Sequence, residues 1–187
     1  MSMRKLALSA VVAALVAGPA LATELTIEVA GEGANGTIVI DMADDVAPNH
    51  VAQIAKLAKQ GAYDGVVFHR VIDGFMAQTG DVQYGKLGGD MRRAGMGGSD
   101  LPDLKAEFSD VPFERGVVGM ARSQNPDSAN SQFFIMFAPG YFLNGQYTVV
   151  GHVVKGMDVV DKIKRGQGQN GAVVGKPDVM TKVTVSE

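Results

Sequence analysis

The feature that most narrows the possible folds of this chain is a succession of short apolar runs, each closed off by glycine, proline, asparagine or aspartate. Such punctuation favours strands, which bury one face within a few residues, over helices, which need several turns to do so. From Glu24 the stretch LTIEV sets Leu25, Ile27 and Val29 on one face and Thr26 and Glu28 on the other. TIVID after Asn35-Gly36 repeats the alternation. Asn-Gly suits the positive φ angles of a hairpin turn, a better account of Asn35-Gly36-Thr37 than the glycosylation sequon it also matches. Further runs at Val66 to Val71, Met76 to Thr79, Val117 to Ala121, Phe133 to Phe137, Val149 to Val153 and Val179 to Val185 bring the expected strands to eight.

Two helices interrupt this pattern. PNHVAQIAKLAKQG opens on Pro48, gathers Val51, Ile54, Ala55, Leu57 and Ala58 on one face and ends at Gly61. A second is expected at Met157 to Arg165, with Val159, Val160 and Ile163 as its stripe and Gly166 as its stop. Eight short strands and two helices predict a mainly β domain, a closed eight-stranded antiparallel barrel capped by two α-helices. The 24 glycines agree with many tight turns. The segment from Tyr84 to Arg115 has little periodicity and reads as a long surface loop, a kind often put to functional use.

The first residues carry Arg4 and Lys5, an apolar run from Leu6 to Ala17, then Ala20-Leu21-Ala22. This is the layout of a cleavable secretory signal peptide over residues 1–22, with the folded domain at 23–187 and a mature start at Thr23. The run is shorter than the roughly 20 residues of a spanning helix, so the expected location is the bacterial periplasm, without stable membrane association after cleavage. Removing Arg4 and Lys5 from 17 basic residues leaves 15 against 20 acidic ones, a net charge of −5. Such a surface argues against nucleic acid as a partner. The absence of cysteine excludes disulfides, thiolate metal sites and thiol catalysis.

Several patterns lack the context their chemistry needs. Gly166-Gln-Gly168-Gln-Asn-Gly171 fits G-x-G-x-x-G but follows a helix instead of joining a strand to one. Gly175-Lys176 precedes proline and has no Walker A glycine before it. His50, His69 and His152 share no metal-ligand spacing, and His69 reads as a core or rim histidine making a hydrogen bond. Ser123, Ser128 and Ser131 sit in no nucleophile elbow and single out no base.

One charge stands out. In FHRVIDGFMAQTGD, Arg70 lies among Phe68, Val71, Ile72, Phe75 and Met76. A guanidinium there either pairs internally, with Asp73 or Asp81, or serves a ligand. Downstream, Phe133 and Phe134 must face opposite sides of their strand, so at most one belongs to a barrel interior and the other is free to line something.

FHRVIDGFMAQTGD, GVVGMARSQNPDSANSQFFIMFA and FLNGQYTVVGHVVKGMDVVDKI together resemble cyclophilin-type peptidyl-prolyl cis-trans isomerases, in order, from about Thr37 to the C-terminus. The resemblance implies an eight-stranded barrel with two capping helices. It also implies a catalytic role for Arg70, with substrate contacts from Phe75, Met76, Gln78, Ala121, Gln132, Phe134, Phe142, Leu143 and Tyr147. Arg122 replaces an asparagine common in eukaryotic members, Phe142 stands where a tryptophan often occurs and Tyr147 where a histidine does, which argues against strong cyclosporin binding. The expected partners are proline-containing polypeptides, unfolded exported proteins among them. No metal or other cofactor is expected, and the protein is expected to be a monomer.

The chemistry suits this set. Rotation about X-Pro breaks amide resonance, a barrier of about 18–20 kcal/mol. In the twisted state the nitrogen lone pair is localised and can accept a hydrogen bond that the planar imide cannot, so a donor aimed at it stabilises that state selectively. Two alternatives remain at this level: a proline-peptide binder without turnover, and a hydrolase built on the serine-rich segment.

Overall fold

The computed structural model describes residues 23–186. Nine strands, β1 (Glu24–Ala30), β2 (Gly36–Met42), β3 (Val66–Val67), β4 (Arg70–Ile72), β5 (Met76–Thr79), β6 (Val117–Met120), β7 (Phe133–Met136), β8 (Val149–Lys155) and β9 (Val179–Ser186), form one antiparallel sheet. Its order is β3-β9-β1-β2-β8-β6-β7-β5-β4, an open, curled half-barrel and not the closed eight-stranded barrel expected. The expected single strand over Val66 to Val71 divides at Phe68-His69, and its two halves lie at opposite ends of the sheet. Their backbone groups are used elsewhere. Val67 N–H donates to Gly85, Phe68 N–H to Asp178 and Val71 N–H to Gly171, so no ladder joins β3 to β4.

The first hairpin places Leu25, Ile27 and Val29 inside against Ile38 and Ile40, as the alternation requires. Its connection is longer than a two-residue turn. Gly36 has φ of 139° and already pairs with Val29, while Asn35, whose φ is not positive, closes the loop through hydrogen bonds with Gly31.

Helix α1 (Pro48–Lys59) buries the face read from its periodicity. Its own first turn has no acidic residue and no capping side chain. The cap comes from the long segment, where the Glu107 carboxylate accepts from the N–H groups of Asn49 (3.3 Å) and His50 (3.1 Å) and from the Asn49 amide. Helix α2 is a single turn, Met157–Val160, shorter than expected. Ile163 N–H donates back only three residues, to Val160, and Lys164 N–H donates to the Asp178 carboxylate, which ends the helical ladder. Val159, Val160 and Ile163 are nonetheless all buried.

The segment from Tyr84 to Arg115 runs over the surface as expected, and side chains of the fold fasten it down. Buried Asp81 accepts from the N–H groups of Gln83, Tyr84, Gly95 and Gly97, and Asn130 holds Ser99, Leu101 and Asp103. Among the described residues no helix is long and apolar enough to cross a membrane.

The core divides in two. Alternate residues of β5, β6 and β7, including Ala77, Val118, Met120, Phe133 and Ile135, join the interior cluster. Their neighbours Met76, Val117, Phe134 and Met136 form a smaller outer cluster with Phe113, Leu143 and Val149. That outer cluster is the floor of the candidate site.

Candidate active site

β4 and β5 pair with Arg70 directly opposite Gln78, so both side chains emerge on one face. Arg70 Nη1 donates to Gln78 Oε1 (3.0 Å) and Arg70 Nε to the backbone carbonyl of Asn170 (2.9 Å). The chain of bonds continues from Gln78 Nε2 to Gln132 Oε1 (3.0 Å), and from Gln132 Nε2 to the carbonyls of Gly95 and Gly97. Neither internal ion pair open to Arg70 forms: Asp73 pairs with Arg165 (2.8 Å), and Asp81 is occupied by backbone N–H groups. Arg70 makes no salt bridge among the described residues. Burial pulls its pKa below the ordinary guanidinium value, with Tyr147 acting in the opposite direction. A partly desolvated cation of this kind interacts more strongly with whatever acceptor it meets.

Beside it lies a cavity of about 230 Å³ lined by Arg70, Phe75, Met76, Gln78, Ala121, Arg122, Phe134, Phe142, Leu143 and Tyr147. Nine of the ten residues expected from sequence meet there. Gln132, the tenth, lines an adjoining cavity of about 600 Å³ that shares Gln78, Ala121 and Arg122 with the first and is bordered by Met96 to Ser99 and by Asn130. Phe134 forms the floor of the smaller cavity, stacked on Phe113 (5.8 Å) and met edge-on by Tyr147 (6.0 Å). Gly119 is required beneath it, since a Cβ there would come within 2.6 Å of both rings. Phe142, 67% exposed, leans on Phe75 from the short 3₁₀ turn Tyr141–Leu143 and forms the outer wall. The two phenylalanines 133 and 134 face opposite ways, Phe133 inward and Phe134 toward the cavity.

Three contributors are absent from the residues expected from sequence. Arg122 lays its guanidinium over the Tyr147 ring (4.3 Å) and donates to the carbonyls of Gln146, Ser123 and Gln124. Its position was visible beside Ala121; its packing was not. Phe113 comes from the aperiodic segment and carries no sequence signal. Asn170 lies within the G-x-G-x-x-G run that reads as a plain loop.

His69 is 7% exposed, and neither ring nitrogen has a hydrogen-bond partner among the described residues, contrary to the hydrogen bond expected. Burial pulls its pKa down, opposed by nearby Asp81. Ser123 and Ser128 bond to each other and Ser131 bonds to the Gly80 carbonyl, so none has the base that hydrolysis needs.

The pattern of the family described as cyclophilin type peptidyl-prolyl cis-trans isomerase/CLD matches residues 25–185. The chain belongs to the cyclophilin-type peptidyl-prolyl cis-trans isomerases. A Brucella suis biovar 1 protein described as "Probable peptidyl-prolyl cis-trans isomerase" is 62% identical over 153 residues, 81% of this chain and 78% of that protein. Peptidyl-prolyl cis-trans isomerase B of Escherichia coli strain K12 is 40% identical over 166 residues, 82% of this chain and 96% of the relative. Among solved structures, cyclophilin AquaCyp293 from Hirschia baltica matches with a TM-score of 0.68 at 26% identity, covering 86% of this chain and 73% of its own. A Cryptosporidium parvum cyclophilin, crystallised in the presence of the dipeptide Ala-Pro, shares the fold with a TM-score of 0.72 at 20% identity, covering 88% of this chain and 99% of its own. Membership makes this cyclophilin an isomerase, and neither a hydrolase nor a binder without turnover is needed to account for the groove.

Proposed function

We propose that this cyclophilin accelerates rotation about X-Pro bonds through a hydrogen bond from Arg70 to the proline nitrogen of the twisted transition state. The observation that carries this reading is a guanidinium with no internal ion pair, held by Gln78 and Asn170 at the rim of an apolar cavity. The cavity is smaller than those that enclose whole drug-sized ligands, which suits one ring of a longer peptide. Phe75, Met76, Phe134, Phe142 and Leu143 grip the pyrrolidine ring, so that rotation occurs on the carbonyl side. Gln78, Ala121, Gln132 and Tyr147 contact the peptide along the groove. A planar X-Pro bond offers the nitrogen lone pair to no donor, so the bond from Arg70 strengthens only as the peptide twists.

The substrates under this reading are proline-containing polypeptides, a choice supported by the dipeptide used with the Cryptosporidium cyclophilin. The N-terminal sequence supports folding of exported proteins in the periplasm as the setting, with the monomer as the working form. Residues 1–22, the expected signal peptide, lie outside the described residues. Thr23 N donates to Asp44 Oδ2 at 3.0 Å, so a mature chain beginning there would set its α-ammonium against that carboxylate. N-terminal sequencing of the exported protein tests this; a first residue other than Thr23 refutes the cleavage site, and retention of residues 1–22 refutes export by cleavage.

Arg70→Ala should lose about 3 kcal/mol of transition-state stabilisation, roughly a hundredfold in kcat/KM. Exchange rates of a short X-Pro peptide measured by NMR decide it. A rate near that of the unaltered protein removes Arg70 from the chemistry.

A further inference from the structure

The G-x-G-x-x-G run at Gly166 to Gly171, which supplies Asn170, also covers the outer edge of the strand that carries Arg70. Gly166 N–H donates to the Val71 carbonyl (2.8 Å), Val71 N–H to the Gly171 carbonyl (2.8 Å) and Val173 N–H to the His69 carbonyl (3.0 Å). Gln167 and Ala172 bridge each other, and Ala172 also bridges Arg70 itself. The glycines are sterically necessary for this close approach. A Cβ on Gly166 would lie 1.8 Å from the Gly171 carbonyl oxygen. On Gly171, which has φ of +67°, a Cβ would lie 2.5 Å from Ile72 Cγ1 and 2.9 Å from the Val71 carbonyl oxygen. The turn so formed presents the Asn170 carbonyl to Arg70 Nε at 2.9 Å.

This contact has a geometric consequence. A guanidinium is planar, with one N–H on Nε and two on each terminal nitrogen. Gln78 holds the plane at Nη1 and Asn170 at Nε. Two fixed points on a rigid plane leave no free rotation about Cδ–Nε, and among the described residues no hydrogen bond occupies Nη2. With Gln78 alone, the fork could pivot about a single bond.

We propose that the glycine turn at residues 166–171 is a positioning element for isomerisation, in which the Asn170 backbone carbonyl fixes the Arg70 fork so that its unoccupied terminal N–H groups face the substrate nitrogen. The inference rests on the role of Arg70 proposed above. Because the hold is a backbone carbonyl, the turn's conformation matters and the identity of its exposed side chains does not. Misplacing a catalytic group by about 1 Å can cost on the order of a hundredfold in rate, so a modest shift of this carbonyl is enough to be measured.

The test uses Gly171→Ala, which forces Asn170 away from β4, beside Gln169→Ala, which alters only an exposed side chain of the same turn and leaves its backbone in place. In the Gly171→Ala protein kcat/KM for an X-Pro peptide should fall about ten- to hundredfold. The dissociation constant of an Ala-Pro dipeptide should change less than about twofold, since the ring cavity is untouched. The Arg70 Nε–Hε signal in the ¹⁵N NMR spectrum should move and its proton should exchange faster with water; Gln169→Ala should change none of these. If Gly171→Ala fails to fold, Gln167→Pro, which removes the N–H that donates to Ala172, loosens the same turn and is read in the same way. An unaltered Nε–Hε signal together with an unaltered rate overturns the inference, as does a fall in rate without a change in that signal. Should Arg70→Ala itself keep full activity, the reading of Arg70 fails first, a different result from loss in Arg70→Ala with no response to the turn.

Discussion

The interior of the sheet and the floor of the cavity are built from the same three strands, yet they differ in what their packing serves. Along β7, Phe133 and Ile135 point into the large cluster while Phe134 and Met136 point into the small one, with β5 and β6 dividing in the same way. The inner set is covered on every side. The outer set is covered below by Phe113 and opens above onto Arg70, Gln78 and Tyr147. Alternation along a strand thus gives neighbouring residues separate duties, one in holding the fold and the next in shaping a slot.

Truncating the two adjacent phenylalanines is the sharpest way to separate these duties. Phe133→Ala should cost about 3–5 kcal/mol of stability by leaving a closed cavity. Phe134→Ala should cost less, roughly 2 kcal/mol, because its ring borders an existing opening, but should lower kcat/KM more per unit of stability lost. Denaturant unfolding beside exchange kinetics makes the comparison, and equal ratios for the two variants would erase the distinction.

Gly119→Ala asks whether the floor can move. Its Cβ would meet Phe113 and Phe134 at 2.6 Å, so an overpacking cost of about 1–3 kcal/mol is expected, together with a displaced Phe134 ring and weaker peptide binding by titration. On the outer wall, Phe142→Ala should change stability by less than about 0.5 kcal/mol because the ring is exposed, while raising KM. A KM equal to that of the parent would show that the wall is decorative.

The smallest effect should come from the interior side, through pH. Burial raises the Glu107 carboxyl, but hydrogen bonds from His50 and Asn49 outweigh it and hold its pKa below the usual 4.5. A depressed folded-state pKa stabilises the protein above the unfolded value and loses that contribution as pH falls through the folded one. The stability difference between the parent and Glu107→Gln should therefore shrink below about pH 4.5, as followed by melting temperature; a constant difference would remove Glu107 as a charged cap.

These contrasts mark how far the sequence is legible. The faces of the first hairpin, the buried stripe of α1 and the opposed directions of Phe133 and Phe134 follow from periodicity alone. Of the ten site residues implied by the resemblance of three separate motifs, nine line one cavity. The length of α2 was misjudged because Asp178, fourteen residues beyond Lys164, takes the N–H that would have continued the helix. How the long segment is held could not be read from its sequence, because its anchors, Asp81, Asn130 and Glu107, act on backbone groups and leave no periodic trace.

What the sequence determined by itself is seven of the nine strands, their inward and outward faces, and the cluster of residues that marks an isomerase. Tertiary structure alone decided that the sheet stays open between β3 and β4, that α1 is capped from the far segment, and that Asn170 meets Arg70 across 100 positions of chain. Periodicity is a short-range property of side chains, whereas the partner of a backbone carbonyl depends on which distant segment the fold lays beside it.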